Sequence, residues 1–306
     1  MFAESTINQR TKIVKQVVLI LRVHIILIGI WGALMFGWLL TGKYLVAAAL
    51  LGGVDWLLVN LLNRVSDLEE DRLNRIPGTA ALRGAMWPVA LYTLLFAASM
   101  ALTVWRYPEL IGWRLFMQAT GFVYNFRLIP TPRGRVRLKE IYFLKNFMSA
   151  LGFVTTCFFY PLAVTGYAPQ LGWAAVAVMI LYFIPYELTY EILYDLRDVE
   201  GDRAVGVPTY PVAHGTQATH RIIYGLLAGS FVWLTVAFLA GWVGAREFLL
   251  AGGPSVQYLI MRPMLRRGPT IADCVLITNL GWVLLAFFLL GNWAWLQLGL
   301  PANIFL

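Results

Sequence analysis

Charge is scarce in this chain. Asp, Glu, Lys and Arg make up 13% of its 306 residues, roughly half the share carried by a soluble domain of that length. With so few solvated groups, an ordinary water-soluble domain is excluded. Cysteine is nearly absent too: Cys157 and Cys274 both fall in apolar runs, so neither a disulfide framework nor a zinc site is indicated. Low-complexity stretches and flexible linkers are missing. The first apolar block lies too deep and runs too long for a cleaved signal peptide, and no small-residue cleavage site follows it. It reads as a true first helix.

Hydrocarbon fills the chain instead: 59% of residues are hydrophobic and the mean hydropathy is +0.69. The apolar residues come in blocks long enough to cross a bilayer, roughly 20 residues each. Such blocks run near Val17–Leu40, Tyr44–Leu62, Met86–Trp105, Ile141–Val164, Leu171–Leu193, Ile222–Val243 and Ile271–Leu290. Two weaker ones cover Leu110–Phe126, interrupted by Arg114 and Gln118, and Glu247–Met261. The expectation is an all-α, polytopic transmembrane bundle of about nine helices, with residues 1–306 forming a single integral membrane domain.

Most of the 24 Lys and Arg residues lie in five segments: the N-terminus (Arg10, Lys12, Lys15), Arg64–Arg83, Arg127–Lys139, Arg197–Arg221 and Arg262–Arg266. With about nine spans, all five fall on one side, which the positive-inside rule makes cytoplasmic. The opposite loops hold Lys43, Arg106 and Arg246. The net charge of +8 therefore reads as topology and attraction to anionic lipid headgroups, not as a nucleic-acid surface. Length and the absence of a transit-like leader point to a prokaryotic inner membrane.

Acidic residues are concentrated on that same side. Of the 16 Asp and Glu, nine lie in two stretches, Asn60–Arg72 and Tyr190–Arg203. Each stretch ends Asp-Arg, with a proline six residues after the Asp (Pro77, Pro208) and a threonine beyond it (Thr79, Thr209), an echo that suggests two related halves. Asn63, Asp67 and Asp71 are four apart and would share one stripe of a continued helix; Asp195, Asp198 and Asp202 follow spacings of three and four. Clustered carboxylates repel one another unless a cation joins them. Hard oxygen donors in this number suit Mg²⁺, or Mn²⁺, which completes its shell with waters and substrate phosphate oxygens. Adjacent arginines would contact the oxygens left free. Together they look like a clamp for a diphosphate. The plainer reading, two solvated acidic helix ends, fits one cluster better than two matched ones.

Asn63-x₃-Asp67-x₃-Asp71 and Asp195-x₂-Asp198-x₃-Asp202 resemble the paired motifs of the UbiA superfamily of intramembrane prenyltransferases, which also includes membrane-bound terpene cyclases. Gly206–Gly215 is similar to the stretch after that family's second motif, and Leu21-Arg22-Val-His24 to the opening of its first helix. The resemblance implies a bundle around a central apolar cavity, capped by loops that hold Mg²⁺. It further implies that Asn63, Asp67 and Asp71 bind one metal and Asp195, Asp198 and Asp202 the other, with Asp67, Asp71, Asp198 and Asp202 in the catalytic role. Arg72, Arg203, Lys139 and Lys145 are the candidate diphosphate contacts. Two positions depart from the family pattern: Arg64 replaces an Asp, and Pro208 replaces a Lys.

Three charges fall inside apolar blocks. Lys145 either reaches the diphosphate or snorkels to the interface; snorkelling is favoured for Arg22, beside His24, and a structural role for Arg114. In the loop Arg127, Arg133, Arg135, Arg137 and Lys139, topology accounts for most of the charge, with one or two side chains reaching substrate. The favoured function is Mg²⁺-dependent transfer of an isoprenyl group from a prenyl diphosphate to an aromatic or lipid acceptor in the membrane. The alternative is a terpene cyclase with no second substrate. A transporter or channel would call for mid-span acids, and the spans read as almost free of them.

Overall fold

The apolar blocks of the sequence become helices in the computed structural model, which describes Val18, residues 20–132 and residues 134–299. Arg10, Lys12, Lys15 and Arg133 lie outside the described residues. In chain order the principal helices are α1 (Val23–Thr41), α2 (Val46–Ser66), the short α3 (Leu68–Leu73), α4 (Trp87–Arg106) and α5 (Ile111–Asn125). A small antiparallel hairpin follows, β1 (Ile129–Thr131) with β2 (Gly134–Val136). Then come α6 (Leu144–Val164), α7 (Gly172–Val205), α8 (Tyr210–His214), α9 (Thr216–Leu239), α10 (Gly252–Arg267) and α11 (Ile271–Gln297).

Seven of these, among the described residues, are long and apolar enough to cross a membrane: α1, α2, α4, α6, α7, α9 and α11. The two weaker blocks form α5 and α10, helices of 15 and 16 residues. They fall short of a full crossing by length, so the expected count of nine holds only if both are included. Helix α4 shows why the chain needs lipid around it. Only 11% of its most apolar window is buried, and Leu94 and Trp105 are 67% and 76% exposed. A face that apolar has no place in water. The protein is an integral, multi-pass membrane protein.

Inside the bundle, α1 packs against α2, α6 and α11. Gly53 makes the first contact possible, because a Cβ there would lie 2.5 Å from Ile30 of α1. Helix α6 widens into a π-turn at Thr155–Phe159 just ahead of Pro161, which has no N–H to donate. Thr156 in that turn accepts a 3.0 Å hydrogen bond from the Trp56 indole of α2.

The spans are not as free of acids as the sequence pattern suggests. Asp55, midway along α2, is fully buried and takes bonds of 2.8 Å from Arg114 Nε and Nη2, 2.9 Å from Gln118 and 2.7 Å from the Tyr160 hydroxyl. Arg114 also donates to Thr103 and to Ser99. Such an acid is tolerated because every lone pair has a donor. Arg114 is thereby placed among structural partners.

Helix α7 is the long element. At 34 residues it would span about 51 Å, well over the roughly 30 Å of a hydrocarbon core. Its last turns carry the second motif. Gly206, with φ 76°, ends it in the left-handed conformation that glycine adopts freely.

Candidate functional site

The first motif straddles a break. Helix α2 stops at Ser66, Asp67 leaves helical geometry (φ −105°, ψ 20°), and α3 resumes at Leu68. The single stripe expected from a continued helix is thus bent at its middle residue. Asn63 donates to Asp67 and, at 3.2 Å, to Asn125 of α5. Ser66 also donates to Asp67, at 3.0 Å. Four basic side chains, from two other segments and from α2 itself, then close on the motif. Arg22 donates to Asn63 Oδ1 at 2.8 Å and lies 3.8 Å from Asp71. Arg64 pairs with Asp71 and holds the Pro77 carbonyl at 2.9 Å. Lys139 Nζ sits 2.6 Å from both Asp67 and Glu70, and Arg137 reaches the same two carboxylates at 3.3 and 2.9 Å. Burial pushes the Asp71 carboxyl above the ordinary carboxylate range, against the pull of Arg22 and Arg64.

The second motif lies on unbroken helix. Lys145, one residue into α6, places Nζ 2.8 Å from Asp195 and 3.0 Å from Asp202. Asn146 donates to the other Asp195 oxygen at 2.8 Å, and Arg197 pairs with Asp198. The two motifs are joined directly: the Gly201 N–H donates to Asn74 Oδ1 at 3.0 Å. A Cβ on Gly201 would stand 2.4 Å from that oxygen, so only glycine allows this approach.

Asn63, Asp67, Asp71, Asp195, Asp198, Asp202, Lys139 and Lys145 are all brought to one end of the bundle. Arg72 and Arg203 are not directed there. Arg72 is exposed and bonded to Glu69 at 2.6 Å, and Arg203 is exposed. Their places near the acids are taken by Arg22, Arg64, Arg137 and Arg197. Arg22, expected to snorkel, instead turns inward, with its backbone in the left-handed region at φ 50°. For Arg137 the spacing gives no cue: the hairpin doubles the loop back so that residues 137 and 139 meet position 67. Asn74 and Gly201 carried no signal in the sequence.

Do these residues suit a divalent metal? The donors are hard oxygens on adjacent turns, and two ammonium groups each sit bracketed between carboxylates, Lys145 and Lys139, in positions that a compact cation favours. Among the described residues no three of His, Cys, Asp and Glu converge as a ready cage, because each acid is drawn to a basic neighbour. The hard oxygen donors of the two motifs suit Mg²⁺, which takes one or two carboxylates and fills the rest with waters and phosphate oxygens.

Below the acids a cavity opens in two chambers. The upper one, about 140 Å³, is bounded by Arg22, Asn60, Asn63, Tyr124, Ser149 and Glu191. The lower, about 380 Å³, runs between Phe36, Tyr182, Phe183, Tyr186 and Leu284. Ile28, Phe153, Glu187 and Tyr190 line both, so the chambers meet there. The site is therefore a charged cap over a mainly apolar, aromatic-walled space.

Comparison with known proteins agrees with this arrangement. The sequence profile described as the UbiA prenyltransferase family matches residues 23–273. A digeranylgeranylglyceryl phosphate synthase from Methanopyrus kandleri is 31% identical over 225 residues, 70% of this chain and 76% of that protein. One of the same description from Pyrococcus abyssi is 30% identical over 173 residues, 55% of this chain. The chain spans 56% and 57% of the length of the two Pyrococcus relatives it matches. Among solved structures, a UbiA homolog from Archaeoglobus fulgidus bound to DMAPP and Mg²⁺ superposes with a TM-score of 0.68 at 19% identity, covering 90% of this chain and 97% of that one.

Proposed function

This chain belongs to the UbiA prenyltransferase family, and from that premise we propose that it transfers an isoprenyl group from a prenyl diphosphate to a lipid acceptor within the membrane. The observation that carries the reading is the pair of acid clusters, interleaved with basic side chains, over a mainly apolar cavity. Relatives described as digeranylgeranylglyceryl phosphate synthases support transfer over cyclisation. Their product bears two C20 chains on one glyceryl phosphate, so the acceptor suggested here is a glyceryl phosphate bearing one chain.

Mg²⁺ held by Asn63, Asp67 and Asp71 on one side and by Asp195, Asp198 and Asp202 on the other would neutralise charge developing on the leaving diphosphate. The chain's own cations do the remaining electrostatic work. Lys145, Lys139, Arg137 and Arg22 stand at the acids with donors to spare, ready for phosphate oxygens. Arg64, whose guanidinium is fully buried, fixes Asp71 against the Pro77 loop. Beneath them Trp56, Tyr124, Phe153 and Tyr190 exclude water from the allylic carbon and offer aromatic faces to its developing positive charge. The clustered basic segments support a cytoplasmic motif end, and the reading extends to a prokaryotic inner membrane and to the whole chain as a single membrane domain.

The test is to incubate purified protein with Mg²⁺, geranylgeranyl diphosphate and a mono-geranylgeranyl glyceryl phosphate, and to analyse the extract by mass spectrometry. A two-chain glyceryl phosphate is expected. Cyclic hydrocarbon or alcohol formed without acceptor would replace this reading with the cyclase.

A further inference from the structure

Helix α7 carries three acids on one face at four-residue intervals: Glu187, Glu191 and Asp195. Each step is one turn, about 6 Å deeper into the bundle. Asp195 is held by Lys145 and Asn146, and Glu191 accepts a 2.8 Å bond from Ser149. Glu187 is different. It is 3% exposed, lines both chambers, and makes no hydrogen bond or ion pair among the described residues. Around it the Tyr186 and Tyr190 hydroxyls bond each other at 3.2 Å, and Tyr182 donates to the Leu250 carbonyl at 2.6 Å.

A buried carboxyl left without a partner is costly to keep. One that lines a mainly apolar space is explained if a ligand supplies the missing partner. A prenyl chain cannot, because it is hydrocarbon throughout. We propose that Glu187 is the acceptor-anchoring residue, receiving a lipid that carries a free hydroxyl into the space where the two chambers meet. This rests on the transferase reading and gives the acceptor its chemistry. A hydroxyl can donate to the Glu187 carboxyl. The residue then holds the nucleophile beneath the diphosphate, one turn or more below the acids of the second motif.

The probes are geranylgeraniol and the C20 hydrocarbon that lacks its hydroxyl, titrated into protein in nanodiscs. The donor site is filled beforehand with Mg²⁺ and an unreactive thio-diphosphate analogue of geranylgeranyl diphosphate. Wild type is expected to bind the alcohol about tenfold more tightly than the hydrocarbon, the value of one good hydrogen bond. In Glu187→Leu that preference vanishes while hydrocarbon affinity stays. Glu187→Gln retains part of it. In transfer assays the acceptor KM rises about tenfold in Glu187→Leu and the donor KM does not move. An alcohol preference that survives in Glu187→Leu, or an equal loss of both ligands in the folded Gln variant, would overturn the proposal. If wild type binds the analogue yet transfers to no hydroxyl-bearing lipid, the transferase reading falls, and the alcohol preference still decides the role of Glu187.

Discussion

Asp71 and Asp202 end their motifs in the same local sequence, Asp-Arg followed by a proline six residues after the Asp, yet they are held in different ways. Asp202 rides on the last turns of a 34-residue helix, with Asp195 and Asp198 set by the same backbone, and one lysine spans two of the three acids. Asp71 sits on a six-residue helix beyond a break, and its motif is held by Arg22, Arg64, Arg137 and Lys139, drawn from the start of α1, from α2 and from the loop after the hairpin. One motif is positioned by its helix and the other by its cations. The lesson is that matched sequence signatures need not have matched mechanics: the first motif depends on side chains distant in sequence, and the second on helix continuity.

If that contrast is right, the two halves break differently. The largest effect is shared. Asp67→Ala and Asp198→Ala should each reduce transfer by about 10²–10³ or more while helical content stays constant by circular dichroism, because each would remove a proposed metal ligand and no core packing. Near-normal turnover in either would remove that motif from the clamp. Next comes the cation test. Lys145→Met leaves Asp195 and Asp202 without their shared partner, and Lys139→Met leaves Asp67 with Arg137 still in reach. The loss in kcat/KM should be about tenfold or more for Lys145→Met and smaller for Lys139→Met, the backup cation making the difference. Equal losses would show that Arg137 does not substitute. Smaller again is Gly201→Ala, which pushes Asn74 off the helix and loosens the first motif against the second. A fall of a few-fold in kcat is expected, with thermal stability nearly unchanged. At the bottom are Arg72→Ala and Arg203→Ala, each expected to alter rate by less than about twofold, since both side chains are exposed and an exposed ion pair such as Arg72 with Glu69 contributes little.

The membrane spans and the two acid clusters were legible because both are written in local pattern: block length for the first, helical spacing for the second. The short helices α5 and α10 were legible only as weak blocks, since Arg114, Gln118 and Arg262 dilute them. What local pattern does not carry is contact between distant segments. Lys139 meets Asp67 because a hairpin reverses the chain, and Asn74 meets Gly201 across 127 positions. Arg22 looks like a snorkelling residue because its inward turn is a backbone property, a left-handed φ of 50°. The acids inside the spans escape local pattern for a related reason. Asp55 is tolerable only because Arg114, Gln118 and Tyr160 arrive from α5 and α6, and Glu187 only shows its meaning once a cavity is seen in front of it.

The most direct measurement is binding of the thio-diphosphate analogue to wild type, Asp67→Ala and Asp198→Ala, with Mg²⁺ and with EDTA, by isothermal titration calorimetry. The account predicts binding to wild type only with Mg²⁺ and a loss of at least about tenfold in both variants. Equal binding in EDTA, or wild-type affinity in Asp198→Ala, would contradict a diphosphate clamp shared by the two motifs.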